Sequence, residues 1–152
     1  MMCSGLIDHP EGGRYREVYR SGAVVHSPDG RRRAALTHIY FSLNPGEVSH
    51  FHRVASDEVW NLYRGTGLRL VLWDEGSDGL QSVELSDASG VYCHVVPANC
   101  WQAAIPLSDT VLVGCTVAPG FEFDDFELMR RTSPAAKRLL AEHPGSASLI
   151  QP

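Results

Sequence analysis

Short segments of alternating hydrophobicity, each ended by glycine or proline, constrain the fold of this chain more than any other feature. In the segment THIYFSLNPGE, residues 37–47, isoleucine, phenylalanine and leucine alternate with other residues, and the run stops at an Asn-Pro-Gly turn at 44–46. A period of two residues predicts a strand with one buried face. The same pattern recurs in the segments 57–65, 68–86, 90–105 and 109–123, the second of which we expect to be a hairpin with its tip at 76–79.

The C-terminal segment SPAAKRLLAEH has helical character. Ser133 is a suitable N-cap, Pro134 suits the first helical position, and two leucines supply apolar contacts. Frequent short strands with one terminal helix predict an all-β fold, either an antiparallel sandwich or a small barrel. With 152 residues and 43% hydrophobic content, the chain can bury one core, so residues 1–152 are interpreted as a single domain.

Charge and cysteine spacing limit the partners that we expect. A net charge of −5 disfavours nucleic-acid binding, which usually depends on a basic face. Six of the thirteen basic residues precede Ala34, so the N-terminal segment could still contact an anionic ligand. There is no charged leader and no apolar stretch of bilayer length, and the four cysteines lack paired spacing. We therefore expect a cytoplasmic protein with free thiols and no membrane partner.

The stretch SHFHRVASDEVWNLYRG, residues 49–65, contains candidate metal ligands. On a strand, side chains two residues apart point to one face, so His50 and His52 could converge on one ion. Glu58 would lie roughly 20 Å from His52 on a continuous strand, so the chain must turn at RVASD to bring it close. Two histidines and one carboxylate suit divalent iron, manganese, nickel or zinc and leave coordination positions open. The amide oxygen of Gln102 could be a fourth ligand or hold a metal-bound water.

The order of these residues resembles the two sequence motifs of the cupin superfamily. More closely, four blocks of the chain look like one single-domain cupin branch, catalogued as a domain of unknown function (DUF985) and structurally likened to deoxysugar epimerases. The motif positions are Gly46, His50, His52, Glu58 and Gly65, then Gly90, Pro97, Asn99 and Gln102, and the blocks are HPEGGRYREVYRS, NPGEVSHFHRVASDEVWNLYRG, VVPANCWQAA and VGCTVAPGFEFDDFEL.

The resemblance implies a double-stranded β-helix, or jelly-roll barrel, over residues 9–128 and a C-terminal helical tail over residues 133–152. It also implies a ligand pocket inside the barrel and, often, a homodimer. The branch commonly has a small or apolar residue at the position of His50, whereas the wider superfamily has a metal-binding histidine there. This departure favours a metal in this chain. Asn99 replaces the usual glycine, a mild change because asparagine tolerates left-handed backbone.

Several side chains around these motifs are candidate substrate contacts. Trp60 shares a strand face with Glu58, and Trp101 stands beside Gln102 in the second motif. Arg16 and Arg20 could reach over the barrel mouth to bind a carboxylate, phosphate or sugar nucleotide, or could form salt bridges along a strand. The other histidines are expected to be structural groups with satisfied hydrogen bonds: His9, His26, His38, His94 and His143.

A cupin fold implies no single reaction, so the function is inferred from the site. We expect an isomerase, epimerase or lyase that acts on a small, polar, oxygen-rich substrate such as a sugar or an oxo-acid. A divalent ion held by the two histidines, Glu58 and Gln102 would polarise a carbonyl oxygen. Without a metal, His52 or Glu58 would itself be the base. The alternatives are a non-catalytic cupin that binds a metabolite or metal, and an iron-dependent dioxygenase.

Overall fold

The computed structural model describes residues 3–77 and 79–152, and half of the chain is β-strand. The predicted hairpin tip at 76–79 therefore includes one position, 78, that lies outside the described residues. Short 3₁₀ helices span Phe123–Asp125 and Pro144–Leu149. The strands and the α-helix are β1 (Ile7–Asp8), β2 (Arg14–Arg20), β3 (Val24–His26), β4 (Arg32–Ala34), β5 (Thr37–Leu43), β6 (Ser49–Val54), β7 (Asp57–Arg64), β8 (Gly67–Trp73), β9 (Leu80–Ser86), β10 (Cys93–Val96), β11 (Trp101–Pro106), β12 (Val111–Ala118), β13 (Phe126–Leu128) and α1 (Pro134–Glu142).

Two antiparallel sheets form the body of the molecule. One has the strand order β1-β2-β5-β12-β7-β10, and the other has the order β13-β6-β11-β8-β9. Strands β3 and β4 pair separately as a hairpin. Sequential neighbours such as β6 and β7 lie in different sheets, which is the connectivity of a jelly roll. The predicted all-β jelly-roll fold with one short C-terminal helix is confirmed.

Hydrophobic side chains pack on both faces of the five-stranded sheet. The inner cluster fills the space between the sheets and includes Phe41, Trp60 and Leu70. The outer cluster lies between the sheet and α1, where Trp101 packs with Leu139 and their neighbours. The N-terminus of α1 is capped as predicted, since the hydroxyl of Ser133 accepts a hydrogen bond from the amide of Ala136 at 3.2 Å.

The turn at Ala55 and Ser56 determines where the site forms. It joins β6 of the five-stranded sheet to β7 of the six-stranded sheet, so it carries the chain across the barrel instead of closing a hairpin. His52 near the end of β6 and Glu58 at the start of β7 therefore belong to facing walls. Asn99, in the turn before β11, has a φ of 67°, the left-handed conformation expected for a residue that replaces glycine.

Two further expectations concern the cysteines and the membrane. The cysteines Cys3, Cys93, Cys100 and Cys115 are free, as predicted from their spacing. Among residues 3–77 and 79–152, the helices are too short and too polar to cross a lipid bilayer.

Candidate functional site

A small cavity lies between the two sheets. The volume that the centre of a water molecule can occupy in it is about 30 Å³. This is far smaller than the several hundred Å³ typical of ligand pockets, so a sugar-sized ligand requires some wall residues to move. Polar and aromatic side chains line it together with aliphatic ones: His9, Glu11, Tyr15, Thr37, Ile39, Phe41, His52, Val54, Glu58, Cys115, Val117, Phe121 and Phe126.

The first functional group is a buried pair formed by His52 and Glu11. Nε2 of His52 lies 3.0 Å from Oε2 of Glu11, and the two side chains are 2% and 7% exposed. Nδ1 of His52 is 2.8 Å from the carbonyl oxygen of His50, which can only accept, so Nδ1 carries a proton. Ser49 donates to the other Glu11 oxygen at 2.9 Å. One further proton is therefore shared between Nε2 and Oε2.

Burial sets the position of this proton. The pKa of His52 falls to about 4 because the buried imidazole loses hydration. The pKa of Glu11 is raised well above its ordinary value because of burial and the nearby Glu58 carboxyl. Both effects favour the neutral pair, in which the Glu11 carboxyl donates to the lone pair of His52. The pair holds a transferable proton at the cavity wall.

Glu11 reaches the cavity because the loop after β1 folds inward. Gly12 has a φ of 110°, and a Cβ atom there would lie 2.1 Å from the carbonyl oxygen of Val48, so the close approach requires glycine. The Glu11 carbonyl accepts two hydrogen bonds from His50, one from its amide and one from Nδ1 of its ring, each at 2.8 Å. His50 thus fixes the backbone that carries Glu11.

The second functional group is Glu58, on the opposite wall. Its Oε1 accepts from the side-chain amide of Gln102 at 2.9 Å, and Gln102 accepts at Oε1 from the indole of Trp60 at 2.6 Å. The thiol of Cys115 also donates to Glu58. Burial raises the pKa of Glu58 from 4.5 to about 7, and these hydrogen bonds oppose the rise only in part. Glu58 can therefore exchange a proton near neutral pH.

His9 is a third polar wall residue, beside Glu11. Its Nδ1 accepts from the Glu11 amide at 3.2 Å and lies 3.5 Å from Oε2 of the same residue. Burial, with a smaller effect of nearby His52, lowers the pKa of His9 to about 3, so the ring is neutral. His9 also packs edge-on against Tyr15 and Phe41. The expectation that His9 is only a structural group overlooked its place in the cavity.

An aromatic segment that follows β12 and ends at Phe126, the first residue of β13, completes the lining. Phe126 stacks on the His52 ring with centroids 5.5 Å apart, and Phe121 packs edge-on against Phe123. Polar contacts hold the segment to the barrel. The amide of Phe121 donates to Thr37, and Arg20 donates to the Phe121 carbonyl at 3.1 Å. Any enlargement of the cavity on this side must loosen these contacts.

His50 does not line the cavity, because β6 contains a bulge. Gln102 of β11 pairs with His52, whereas Ala104 pairs with Ser49, so two residues of β6, His50 and Phe51, lie opposite the single residue Ala103 of β11. The extra residue breaks the two-residue alternation. Ser49, and not His50, shares the cavity side with His52. His50 faces the separate surface depression formed by residues 12–13 and 46–48.

The four predicted metal ligands are consequently not assembled. An indole N–H can only donate, so the bond from Trp60 fixes the Gln102 amide with its oxygen toward Trp60 and its NH₂ group toward Glu58. Gln102 therefore offers no oxygen to an ion beside Glu58. In the described part of the chain, no three His, Cys, Asp or Glu side chains form a metal-binding group. The predicted ligand set does not fit a divalent metal.

The other predicted substrate contacts do not line the cavity. Trp60 acts on it through its hydrogen bond to Gln102. Trp101 projects to the opposite face of β11 from Gln102, where Arg53 stacks on it at 4.5 Å and its indole donates to Glu75. Arg16 lies at the surface over the Tyr40 ring. Arg20 forms salt bridges with Glu17 and Glu122, in agreement with the salt-bridged alternative.

The comparisons with known proteins agree with this architecture. The family model described as "Cupin superfamily (DUF985)" matches residues 3–129. The chain belongs to this cupin family. A search of curated proteins finds no match to this cupin.

Solved structures include two similar proteins that align over nearly the whole cupin. Protein SO0799 from Shewanella oneidensis is 37% identical with a TM-score of 0.79, covering 97% of this chain and 92% of that one. A hypothetical protein from Leishmania major is 30% identical with a TM-score of 0.79, covering 95% of this chain and 90% of that one. Oxalate decarboxylase from Bacillus subtilis is 15% identical with a TM-score of 0.58 and shares the fold. The alignment covers 93% of this chain and 36% of that one.

Proposed function

We propose that this cupin is an isomerase or epimerase that moves a proton on a small carbonyl substrate held in the barrel cavity. The observation that carries the proposal is the placement of two proton-exchanging groups on facing walls of one cavity. Glu58 comes from the six-stranded sheet, and the pair of His52 and Glu11 comes from the β6 side. A substrate between them presents one face to each group.

The chemistry follows from the protonation of these groups. Glu58, with a pKa of about 7, is partly ionised at neutral pH and can remove a proton from the carbon beside a carbonyl. The electron pair of the broken C–H bond moves onto the carbonyl oxygen and forms an enolate. The proton shared by His52 and Glu11 then adds to the same carbon from the other face. The stereocentre is inverted, and both groups are restored by exchange with solvent.

The proposal is tested by proton NMR in deuterium oxide. The purified protein is incubated with a panel of aldoses, ketoses and keto-deoxysugars, and deuterium at the carbon beside the carbonyl is measured together with the ratio of epimers. For a substrate in this panel, we expect both exchange and inversion. Glu58→Gln should lower both rates by about 100-fold or more, the usual contribution of an acid–base group.

A second variant separates the two walls. The amide of Glu11→Gln can still donate to Nε2 of His52, but it cannot give up a proton to substrate. This variant should retain deuterium exchange from the Glu58 side and lose inversion. Glu142→Gln, the same change on the exposed face of α1, is the control and should behave as the wild type. Full activity in Glu58→Gln, or binding without any exchange across the panel, would refute the proposal.

A further inference from the structure

The charge of the cavity lining restricts the ligand further than the proposed reaction does. We propose that the cavity binds a small organic cation: an amine protonated at neutral pH, either as a free ligand or as the amino group of an amino-carbonyl substrate. The inference rests on the proposed function in one respect, that this cavity is the substrate site. The expectation of an oxo-acid substrate, which is anionic, is thereby replaced.

The first observation is that the cavity contains two carboxyl groups and no cationic side chain. Glu11 and Glu58 are 5% and 6% exposed, and the described lining includes neither lysine nor arginine. Arginines elsewhere on the barrel form salt bridges with carboxylates outside the cavity: Arg14 with Glu47, Arg20 with Glu17 and Glu122, Arg33 with Asp125, and Arg53 with Glu127. Buried carboxylates are normally paired with a positive group.

The histidines do not supply that positive charge. His52 shares a single proton with Glu11, and its other nitrogen donates to the His50 carbonyl. His9 uses Nδ1 as an acceptor for the Glu11 amide, which requires the unprotonated nitrogen. With both rings neutral, ionisation of Glu58 leaves a buried negative charge without a partner. A cationic ligand would supply one.

Aromatic rings occupy much of the remaining lining. Tyr15, Phe41, Phe121 and Phe126 border the same space as the two carboxyl groups. Aromatic faces attract ammonium groups, and several rings beside a carboxylate are a common way to bind an alkylamine. A hydrated metal ion suits this lining less well, because rings and aliphatic groups cannot replace its water ligands. A carboxylate or phosphate ligand would meet the ionised Glu58 and no lysine or arginine in the described lining.

Three probes of similar shape test the ligand class. Isopropylamine is cationic at pH 7, propan-2-ol is neutral, and isobutyrate is anionic. Binding to the full chain is measured by saturation-transfer NMR and by calorimetry in two buffers of different ionisation enthalpy. We expect isopropylamine to bind at least about tenfold more tightly than propan-2-ol, because charge-assisted hydrogen bonds and cation–π contacts both favour it. Protons should be released as the amine binds, since a cation favours the ionised form of Glu58.

Variants assign the binding to the cavity. Glu58→Gln should weaken isopropylamine by about tenfold or more and abolish the proton release, whereas Glu142→Gln should change neither. A folded wild type that binds propan-2-ol or isobutyrate as tightly as the amine, or that binds none of the three, would overturn the inference. Displacement of the amine by Mn²⁺ or Zn²⁺ at equal concentration would also overturn it, in favour of a metal site.

The outcomes separate this inference from the proposed function. Amine binding that depends on Glu58, without solvent exchange into any carbonyl compound, supports the inference and removes the proposed reaction. Exchange into neutral sugars by a protein that does not bind the amine supports the reaction and overturns the inference.

Discussion

Replacement of Glu58 by glutamine should make the folded protein more stable above neutral pH, although Glu58 is a candidate catalytic group. Glu58 is 6% exposed as a residue. Its carboxyl accepts hydrogen bonds from Gln102 and Cys115, yet it has no positive partner in the described lining. The neutral amide keeps the size of the side chain and can accept the bond from Gln102. It cannot acquire the buried charge that the carboxyl acquires on ionisation.

The magnitude follows from the pKa of Glu58. A rise from 4.5 to about 7, at roughly 1.4 kcal/mol for each tenfold change in proton affinity, corresponds to about 3 kcal/mol of unfolding free energy. The folded state binds this proton more strongly than the unfolded state does. Its contribution is therefore complete below pH 4.5 and is lost as the pH rises through about 7. His52 acts oppositely: its pKa is lowered from 6.5 to about 4, so its contribution is complete above pH 6.5.

Urea unfolding of wild type and Glu58→Gln at pH 5 and pH 8, followed by tryptophan fluorescence, isolates the Glu58 effect, because His52 is present in both proteins. At pH 5, just above the unfolded-state pKa of 4.5, the variant should be more stable by less than about 1 kcal/mol. At pH 8 the variant should be more stable by about 3 kcal/mol at most. Glu142→Gln controls for the loss of one surface charge. If the difference between wild type and Glu58→Gln is the same at both pH values, Glu58 is not a buried group of raised pKa.

Two further substitutions test the assignments around the cavity. His50→Ala removes the hydrogen bond from the ring to the Glu11 carbonyl, so the free energy of unfolding in urea should fall by about 1 kcal/mol. Inversion of the substrate should be slower and the metal content unchanged. Unchanged inversion would show that His50 does not position Glu11. Trp101→Phe removes the hydrogen bond to Glu75 and part of the ring that packs in the outer cluster, so it should cost at least about 1 kcal/mol of stability. Isopropylamine binding should be unchanged, and weaker binding would contradict the placement of Trp101 outside the cavity.

Much of the fold, and part of the site, could be predicted from local patterns. Two-residue alternation locates β5, β7, β8 and β9, and it correctly places Glu58 and Trp60 on one face of β7. Geometry required a turn between His52 and Glu58, and the structure has it at residues 55–56. The turn crosses between sheets, which local sequence does not reveal, because it depends on the pairing of each strand with distant partners.

Alternation failed where the backbone is irregular. The bulge in β6 turns His50 away from the cavity, and its cause lies in the register with β11, about fifty residues later. Glu11 could not be found by alternation, since it lies in a loop. The signal that was available is chemical: an acidic residue followed by two glycines, Pro-Glu-Gly-Gly, in a block shared with the cupin branch. The glycines permit the close approach to Val48 that brings a carboxyl into the barrel.

The role of His50 changes the interpretation of the cupin motif in this chain. Its departure from the branch favoured a metal when only the sequence was considered, because the first histidine of His-x-His is a metal ligand in the wider superfamily. In the structure, the same residue uses its amide and its ring to hold the Glu11 carbonyl. Glu11 then occupies Nε2 of His52, the nitrogen that a metal would otherwise bind. The bond from Trp60 to Gln102 similarly withdraws the amide oxygen. Two of the four donors expected for the metal, His52 and Gln102, thus position proton-exchanging carboxyl groups instead.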